Sequence, residues 1–376
     1  GVHALIHDRL LLAEVEGLAA SLTESVELVE SSLDAGWFEV DGPEKLEAVN
    51  AAIVRLKDAV WAVAEDRTRT ARAVADLAGS EPAWAATEGY TSIQQALSAI
   101  DRLEVRGRDS AGLHVLVHGH GLDVTAPAIT GLLGQRAADP LFRSGTVRVV
   151  DGSLTFVYKA AAEIGDLGDN TRAMRDAIRR DDLLRLALGN DSAVAVVLGH
   201  TRWASVGIIS QPNAHPVDNA EASGPEGPYV VAALNGDVDN FADLKDGAGL
   251  RIAPEITTDA KVIPTLVSRR LAAGERPIDA FRNTVATFEG SVAIGASSTG
   301  DPDRVLLALR GSGQALYVGL VDGAYVVASE PYGLVEMTDR GRDALMNSDW
   351  DALYDEVEGL HIDITEGGIR DGIGHC

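Results

Sequence analysis

One cysteine is present in 376 residues, Cys376, so neither an intrachain disulfide nor a multi-cysteine metal site can form, and a reducing compartment is the expectation. Long hydrophobic runs are also missing: no apolar stretch reaches the ~18 residues of a membrane span. The opening stretch GVHALIHDRL lacks a basic flank, a long apolar run and a small-residue cleavage site, so no secretory signal is read there. A soluble, cytoplasmic protein is expected. Positive charge is in short supply, with 32 Lys and Arg against 57 Asp and Glu and a net charge of −25. A phosphate backbone needs a basic face, which argues against nucleic acid as a partner, and the same repulsion disfavours an anionic membrane surface. Phosphate-cradling Gly-Lys-Ser patterns are absent, so nucleotide hydrolysis finds no support. What remains is ordinary globular material, 46% hydrophobic and 24% charged, long enough for a sizeable core and two or three domains.

Residues 2–7 alternate weakly between apolar and polar and predict a first buried strand. The period then changes. Leu11, Val15, Leu18, Leu22, Val26, Val29 and Leu33 recur every three or four residues, one stripe of a helix that ends near Gly36. After Asp41, Gly42 and Pro43 a second stripe begins with Leu46, Val49, Ile53, Leu56, Val60 and Val63, and continues less regularly through Val74 and Leu77. Two long amphipathic helices joined by a short turn form a helical hairpin. Ile93, Leu97, Ile100 and Leu103 predict another helix. Strands follow at Leu113–Val117, Thr146–Val150 and Leu154–Val157, with Asp151-Gly152 between the last two as a hairpin signal. A charged helix is predicted over 170–188, strands over 193–198 and 229–234, and helices over 259–273 and 278–288. The rest, to about residue 364, reads as sheet with Gly-containing turns. The pattern fits an α+β sandwich better than repeated βαβ units.

Four polar clusters sit where strands should end, the places where rigid supports present chemistry. They are Arg106-Gly-Arg-Asp-Ser-Ala-Gly112, His200-Thr-Arg-Trp-Ala-Ser205, Leu234-Asn-Gly-Asp237 and Thr257-Thr-Asp259. Each has a bland explanation alone. Asn235-Gly236 is a standard turn dipeptide, Asp259 a helix cap, Arg202 beside Trp203 a stacked pair, and Arg106 with Asp109 the brace of a tight turn. His118 and His120, near His114, read as a solvated turn and not as a metal pair, since no acidic or sulfur ligand accompanies them. Asp181-Asp-Leu-Leu-Arg reads as a solvated helix face.

In combination and order the clusters resemble the class II glutamine amidotransferases, most closely the glutaminase half of glutamine:fructose-6-phosphate aminotransferase. Gly1-Val-His-Ala resembles the stretch that follows the family's terminal cysteine. Leu103 to Gly112 is similar to its first glycine-bearing motif, and Leu198-Gly-His-Thr-Arg-Trp-Ala-Ser205 to the second, with Asn213-Ala-His-Pro216 at the expected short distance. Leu234-Asn-Gly236 and Thr258-Asp259 complete the set, and Ala328-Ser-Glu330 resembles a late strand end.

The resemblance implies an α+β fold, the four-layer αββα sandwich of the N-terminal nucleophile hydrolases with an inserted helical hairpin. Residues 1–8 and 90–376 would form the glutaminase domain, 9–80 the hairpin and 81–89 a connector. A terminal cysteine thiolate would attack the side-chain amide of glutamine, ammonia would leave, and water would hydrolyse the thioester to glutamate. Gly1 would adjoin that cysteine, expected directly ahead of it. Asn235 and the Gly236 N–H would donate to the oxyanion. Arg202 would pair with the α-carboxylate of glutamine and Asp259 with its ammonium, with Thr201, Trp203, Ser205 and Arg106 also lining the substrate. Val206 stands where the family usually has a polar residue. No cofactor and no metal is implied. The expected partners are glutamine and a C-terminal or separate sugar-phosphate isomerase or synthase domain that uses the ammonia for aminosugar synthesis, with a homo-oligomer also in view. The rival is a catalytically inactive glutamine-sensing or scaffold domain, with the hairpin as its contact surface.

Overall fold

The computed structural model describes residues 2–37, 42–79, 82–161, 166–223, 227–321 and 324–334. Gly1, Cys376 and the end of the predicted sheet-rich stretch lie outside them. The chain divides into two units, residues 1–94 and 95–376.

In the first unit the opening segment is a helix, α1 (Val2–His7), and not the strand that its alternation predicts. Six residues are too few to separate the two periods, and the packing decides. Adjacent Leu5 and Ile6 are both buried, which a half-buried strand would not allow. His3 and His7, four residues apart, bring their rings to 5.2 Å from Trp84 on one side of the helix. Asp8 then caps α2 (Arg9–Asp34), its Oδ1 accepting from the backbone N–H groups of Leu10 and Leu11 at 3.0 and 2.9 Å, as an N-cap aspartate does. Leu12, Ala19 and Val26 of α2 are buried, whereas Leu18 and Leu22 of the predicted stripe stay exposed. The hairpin is closed by α3 (Pro43–Trp61), with the Lys57 ammonium 2.9 Å from Glu30 of α2. The stripe loses regularity beyond Val60 for a visible reason. Residues Ala62–Thr68 form a π-helical stretch, whose wider turn shifts the phase of every later residue. The shift brings Ala71, Val74 and Leu77 of α4 (Arg69–Ala78) to full burial. Helix α5 (Trp84–Leu103) begins in this unit and ends in the next.

The second unit is an α+β sandwich. Its strands and helices in chain order are β1 (Ser110–His118), α6 (Pro127–Leu133), β2 (Val147–Val150), β3 (Ser153–Ala161), α7 (Asp169–Arg179), α8 (Asp182–Leu188), β4 (Val194–Arg202), β5 (Val217–Asp218), β6 (Val230–Val238), α9 (Phe241–Gly247), α10 (Val262–Ala272), α11 (Pro277–Val285), β7 (Gly290–Ser298), β8 (Asp301–Arg310), β9 (Tyr317–Val321) and β10 (Ala324–Ala328). Two antiparallel four-stranded sheets form, ordered β2-β3-β1-β4 and β5-β6-β7-β8, beside a β9–β10 ladder. Phe142 and Val157 meet Tyr229 and Val231 in a buried cluster between the sheets. Helix α7 packs on β3 and β1, α10 on β6, and α11 on β8, giving the helix–sheet–sheet–helix layering. The Asp151-Gly152 hairpin forms as predicted, both residues having positive φ (52° and 76°), the backbone that suits a two-residue turn between twisted strands.

The charged helix predicted over 170–188 is two, α7 and α8, separated at Asp181. That aspartate is not on a solvated face. It is buried, accepts from Tyr158 Oη at 2.8 Å and Arg136 Nη1 at 3.0 Å, and caps α8 through the N–H groups of Leu183 and Leu184. A capping aspartate ahead of a new helix outranks helix continuity here.

Charge is also buried between the sheets. The Lys261 ammonium lies 3.0 Å from Asp218 Oδ1 with both side chains 1% exposed, and Arg148 reaches Asp218 Oδ2 at 3.1 Å. Lys159 of β3, itself buried, has no hydrogen-bond acceptor among the described residues and holds its ammonium 4.9 Å over the Phe142 ring. Burial pulls its pKa down to about 7, against the attraction of Asp218 and with help from the charge on Lys261. The native state therefore resists protonation of Lys159 between about pH 10.5 and pH 7, while the unfolded chain does not, so stability from this group falls as pH falls through that window. Lys159→Met is expected to raise stability at pH 7 by about 2–4 kcal/mol and to flatten the dependence above pH 7. Urea titrations at pH 7 and pH 10 on both forms check this; a loss of stability in Lys159→Met at pH 7 would contradict it.

Candidate active site

Neighbouring ends of β4 and β6, one from each sheet, supply most of the site. Arg202 is the last residue of β4 and is buried. The chain that returns to it is stitched to the Arg106–Gly112 cluster. Thr201 donates its hydroxyl to the Gly107 carbonyl, Asp109 N–H donates to the Arg202 carbonyl at 3.1 Å, and Ala204 N–H donates to Asp109 Oδ2 at 2.8 Å. A side chain at Gly107 would put Cβ 2.4 Å from the Trp203 nitrogen, so only glycine admits this approach.

On β6, Asn235 and Gly236 do not turn the chain. Both stay in the ladder with β7, opposite Ala293 and Val292. Gly236 nevertheless has φ +90°, and a Cβ there would lie 1.9 Å from the Ser291 carbonyl oxygen. The Asn-Gly pair is thus a local break in an otherwise regular strand. Asp237 follows, its Oδ1 accepting from Ser205 Oγ at 2.6 Å.

Asp259 enters from the start of the short helical turn that leads into α10. It is buried, and its carboxylate accepts from Val238 N–H at 2.8 Å and from Ala260 N–H at 3.0 Å. The N-cap of that turn is Thr258, so the carboxylate is tied to the end of β6 and does not serve as the cap that the sequence alone suggests. Asn213 fixes the approach: its Oδ1 accepts from the N–H groups of Thr257 and Thr258 at 2.6 and 2.9 Å, and its Nδ2 donates to the Glu255 carbonyl at 3.0 Å. His215 joins the two halves, with Nδ1 3.1 Å from the Leu234 carbonyl and Nε2 2.9 Å from Thr258 Oγ1. A carbonyl only accepts, so Nδ1 carries the hydrogen and Nε2 takes the threonine proton. Burial, reinforced by neighbouring His200 and Arg202, drives the His215 pKa well below its ordinary value; His200, with its ring 4.6 Å away, is held to about 4 by burial and by Arg202. Both imidazoles are neutral at pH 7.

The guanidinium of Arg202 donates to the Val206 carbonyl and, at 3.5 Å, to the Ile208 carbonyl. Val206 thus contributes its backbone, which makes its apolar side chain immaterial to this contact. Burial draws the Arg202 pKa down while Asp259, Asp109 and Asp237 pull it up, yet among the described residues no carboxylate lies within 4.0 Å of it. Asp259 is shifted the other way: burial raises its pKa, the Val238 N–H lowers it, Asp237 raises it and Arg202 lowers it. A buried fork with spare donors next to a buried carboxylate matches the two ends of an amino-acid zwitterion.

The other predicted residues divide. Thr201 and Ser205 lie at this site with their hydroxyls turned to the Gly107 carbonyl and Asp237. Trp203 is 74% exposed, and among the described residues no cation–π contact joins it to Arg202. Arg106 pairs with Glu330 at 2.8 Å, a link between the first motif and the last. His118 contacts Asp303 at 2.8 Å, and His120 is buried and accepts from Leu122 N–H, so the His-Gly-His turn is less solvated than its sequence suggests. No group of three or more His, Cys, Asp or Glu among the described residues could hold a metal ion. Asp237, Asp109 and His215 were missed as site residues although each lies within a quoted motif.

A glutamine–fructose-6-phosphate aminotransferase [isomerizing] from Geobacillus kaustophilus is 34% identical over 253 residues, 67% of this chain and 32% of the relative. One from Bacillus thuringiensis subsp. konkukian is 28% identical over 212 residues, 56% of this chain and 33% of that protein. The chain is similar to the class II glutamine amidotransferases. It spans about a third of the length of the curated relatives it matches. The glutamine phosphoribosylpyrophosphate amidotransferase from B. subtilis superposes on 65% of this chain and 40% of its own with 17% identity and a TM-score of 0.40, too loose a likeness to bear on the site. No family model matches. Among the described residues of this amidotransferase-like chain, no helix is long and apolar enough to cross a membrane.

Proposed function

We propose that this chain is a glutaminase, hydrolysing glutamine to glutamate and ammonia for a sugar-phosphate acceptor held by a C-terminal or separate isomerase or synthase domain. The observation that carries the reading is the opposition of Arg202 and Asp259. One is a buried guanidinium with no carboxylate in ion-pair range among the described residues, and the other a buried carboxylate close enough to feel its charge. Arg202 takes the α-carboxylate, Asp259 the α-ammonium, and the side-chain amide points toward Asn235 and Gly236.

The break at Gly236 gives this last step a physical basis. A φ of +90° is a conformation that regular strand residues do not adopt, and here the Gly236 N–H and the Asn235 amide donate to an oxyanion. Losing one such donor costs about 100- to 1,000-fold in rate. The nucleophile that the resemblance implies is a terminal cysteine thiolate ahead of Gly1, with its own α-amine as base. Half-buried His200 and buried His215, both neutral, hold geometry and move no proton.

A pocket that reads both charged ends rejects simple amides. Calorimetric titration of the full chain is expected to detect L-glutamine and to show no binding of butyramide, which keeps the amide and lacks both charges. Equal binding of the two would overturn the assignment of Arg202 and Asp259.

A further inference from the structure

Three carboxylates act on one guanidinium at the α-end of the site. Asp109 and Asp259 are each held by backbone N–H groups, at 2.8 Å from Ala204 and 2.8 Å from Val238. Asp237 differs, since its partner is the neutral hydroxyl of Ser205 at 2.6 Å. Its charge is felt by both Arg202 and Asp259, drawing the first up in pKa and pushing the second up. With Arg202 counted against them, the three aspartates leave a formal charge of −2 around the place where an amino acid would sit.

We propose that Asp237 sets the charge selectivity of the site, favouring a net-neutral amino acid over a net-anionic one, so that glutamate is held less tightly than glutamine and leaves once formed. The inference rests on the glutamine reading above. Glutamine enters as a zwitterion with no net charge, its two ends matched by Arg202 and Asp259. Glutamate carries one further negative charge on the same skeleton, so its contacts at the α-end are unchanged and the difference is the repulsion from uncompensated anions nearby. Asp237 lies two residues beyond Asn235 on β6, between the α-end and the amide end. Repulsion across a few ångströms at a half-buried carboxylate acts at low ionic strength and is reduced by added salt. Asp237 acts on affinity through its charge and touches no reacting atom.

The test is titration of the full chain and of Asp237→Asn with L-glutamine and with L-glutamate, at low ionic strength and in 0.5 M salt. The asparagine variant keeps an acceptor for the Ser205 hydroxyl and removes only the charge. The parent is expected to prefer glutamine, and Asp237→Asn to narrow that preference about tenfold by tightening glutamate. Asp237→Glu restores the preference, and added salt narrows it in the parent more than in Asp237→Asn, a response that a merely structural role would not produce. An unchanged preference in Asp237→Asn, with glutamine still bound, would overturn this inference and leave the pocket standing. Failure of the parent to bind either amino acid would overturn the glutamine reading itself.

Discussion

Arg202→Ala is expected to weaken glutamine binding by at least a hundredfold while leaving the fold intact. Each charge-assisted hydrogen bond is worth about 1.5–3 kcal/mol, and a fork on a carboxylate makes two of them, so the loss converts to two or more decades of affinity. The substitution also leaves Asp109, Asp237 and Asp259 without the cation that faces them, which adds to the penalty for a ligand carboxylate. Arg202→Lys keeps the charge without the fork and falls between the two. Calorimetry with L-glutamine, beside a thermal melt to show that the variant is folded, reads the effect. Binding indistinguishable from the parent would remove Arg202 from the site.

Gly236→Ala is expected to damage both stability and activity. The backbone holds φ +90°, and the new Cβ would lie 1.9 Å from the Ser291 carbonyl oxygen, a backbone atom with no side chain to give way. Left-handed strain costs about 1–2 kcal/mol for a residue with a Cβ, and forcing apart a packed pair adds about 1–3 kcal/mol. A total of about 2–5 kcal/mol is expected, checked by chemical denaturation. The ladder between β6 and β7 must shift to relieve the clash, which moves Asn235 and Asp237 together. A stable Gly236→Ala protein with unaltered glutamine affinity would show that the break in β6 has no part in the pocket.

Much of this arrangement was legible in the sequence because it is local. Asp151-Gly152 had to turn, because the two residues between apolar runs suit a backbone with both φ positive. The strand ends carrying Arg202 and Asn235 were found by their polar clusters, although both strands run further than the apolar runs predict. The polar residues there continue the strands through ladder hydrogen bonds, which an apolar pattern does not report. Other features depend on contacts that no local pattern encodes. Val2–His7 satisfies a strand period and a helix period equally, and only Trp84 and the burial of adjacent Leu5 and Ile6 choose the helix. The π-helical stretch at 62–68 shows in sequence only as a stripe that loses phase. Asp181 looks solvated until Arg136 and Tyr158 arrive from elsewhere in the chain. Asp237 stands in the Leu234–Asp237 cluster, but only the Ser205 hydroxyl, arriving from the end of another strand, ties it to the site.

The measurement that bears most directly on the glutaminase reading is ammonia release from L-glutamine by a form with cysteine joined directly ahead of Gly1 and the initiator methionine removed. The chain without the added residue is the blank, and Asn235→Ala in the cysteine form is the control for the oxyanion donor. Glutamine-dependent release of ammonia and glutamate is predicted for the cysteine form, reduced about 100- to 1,000-fold by Asn235→Ala and abolished by a glutamine-like electrophile that alkylates the thiol. Silence in the cysteine form while L-glutamine still binds would contradict the account, leaving a pocket that senses glutamine without hydrolysing it.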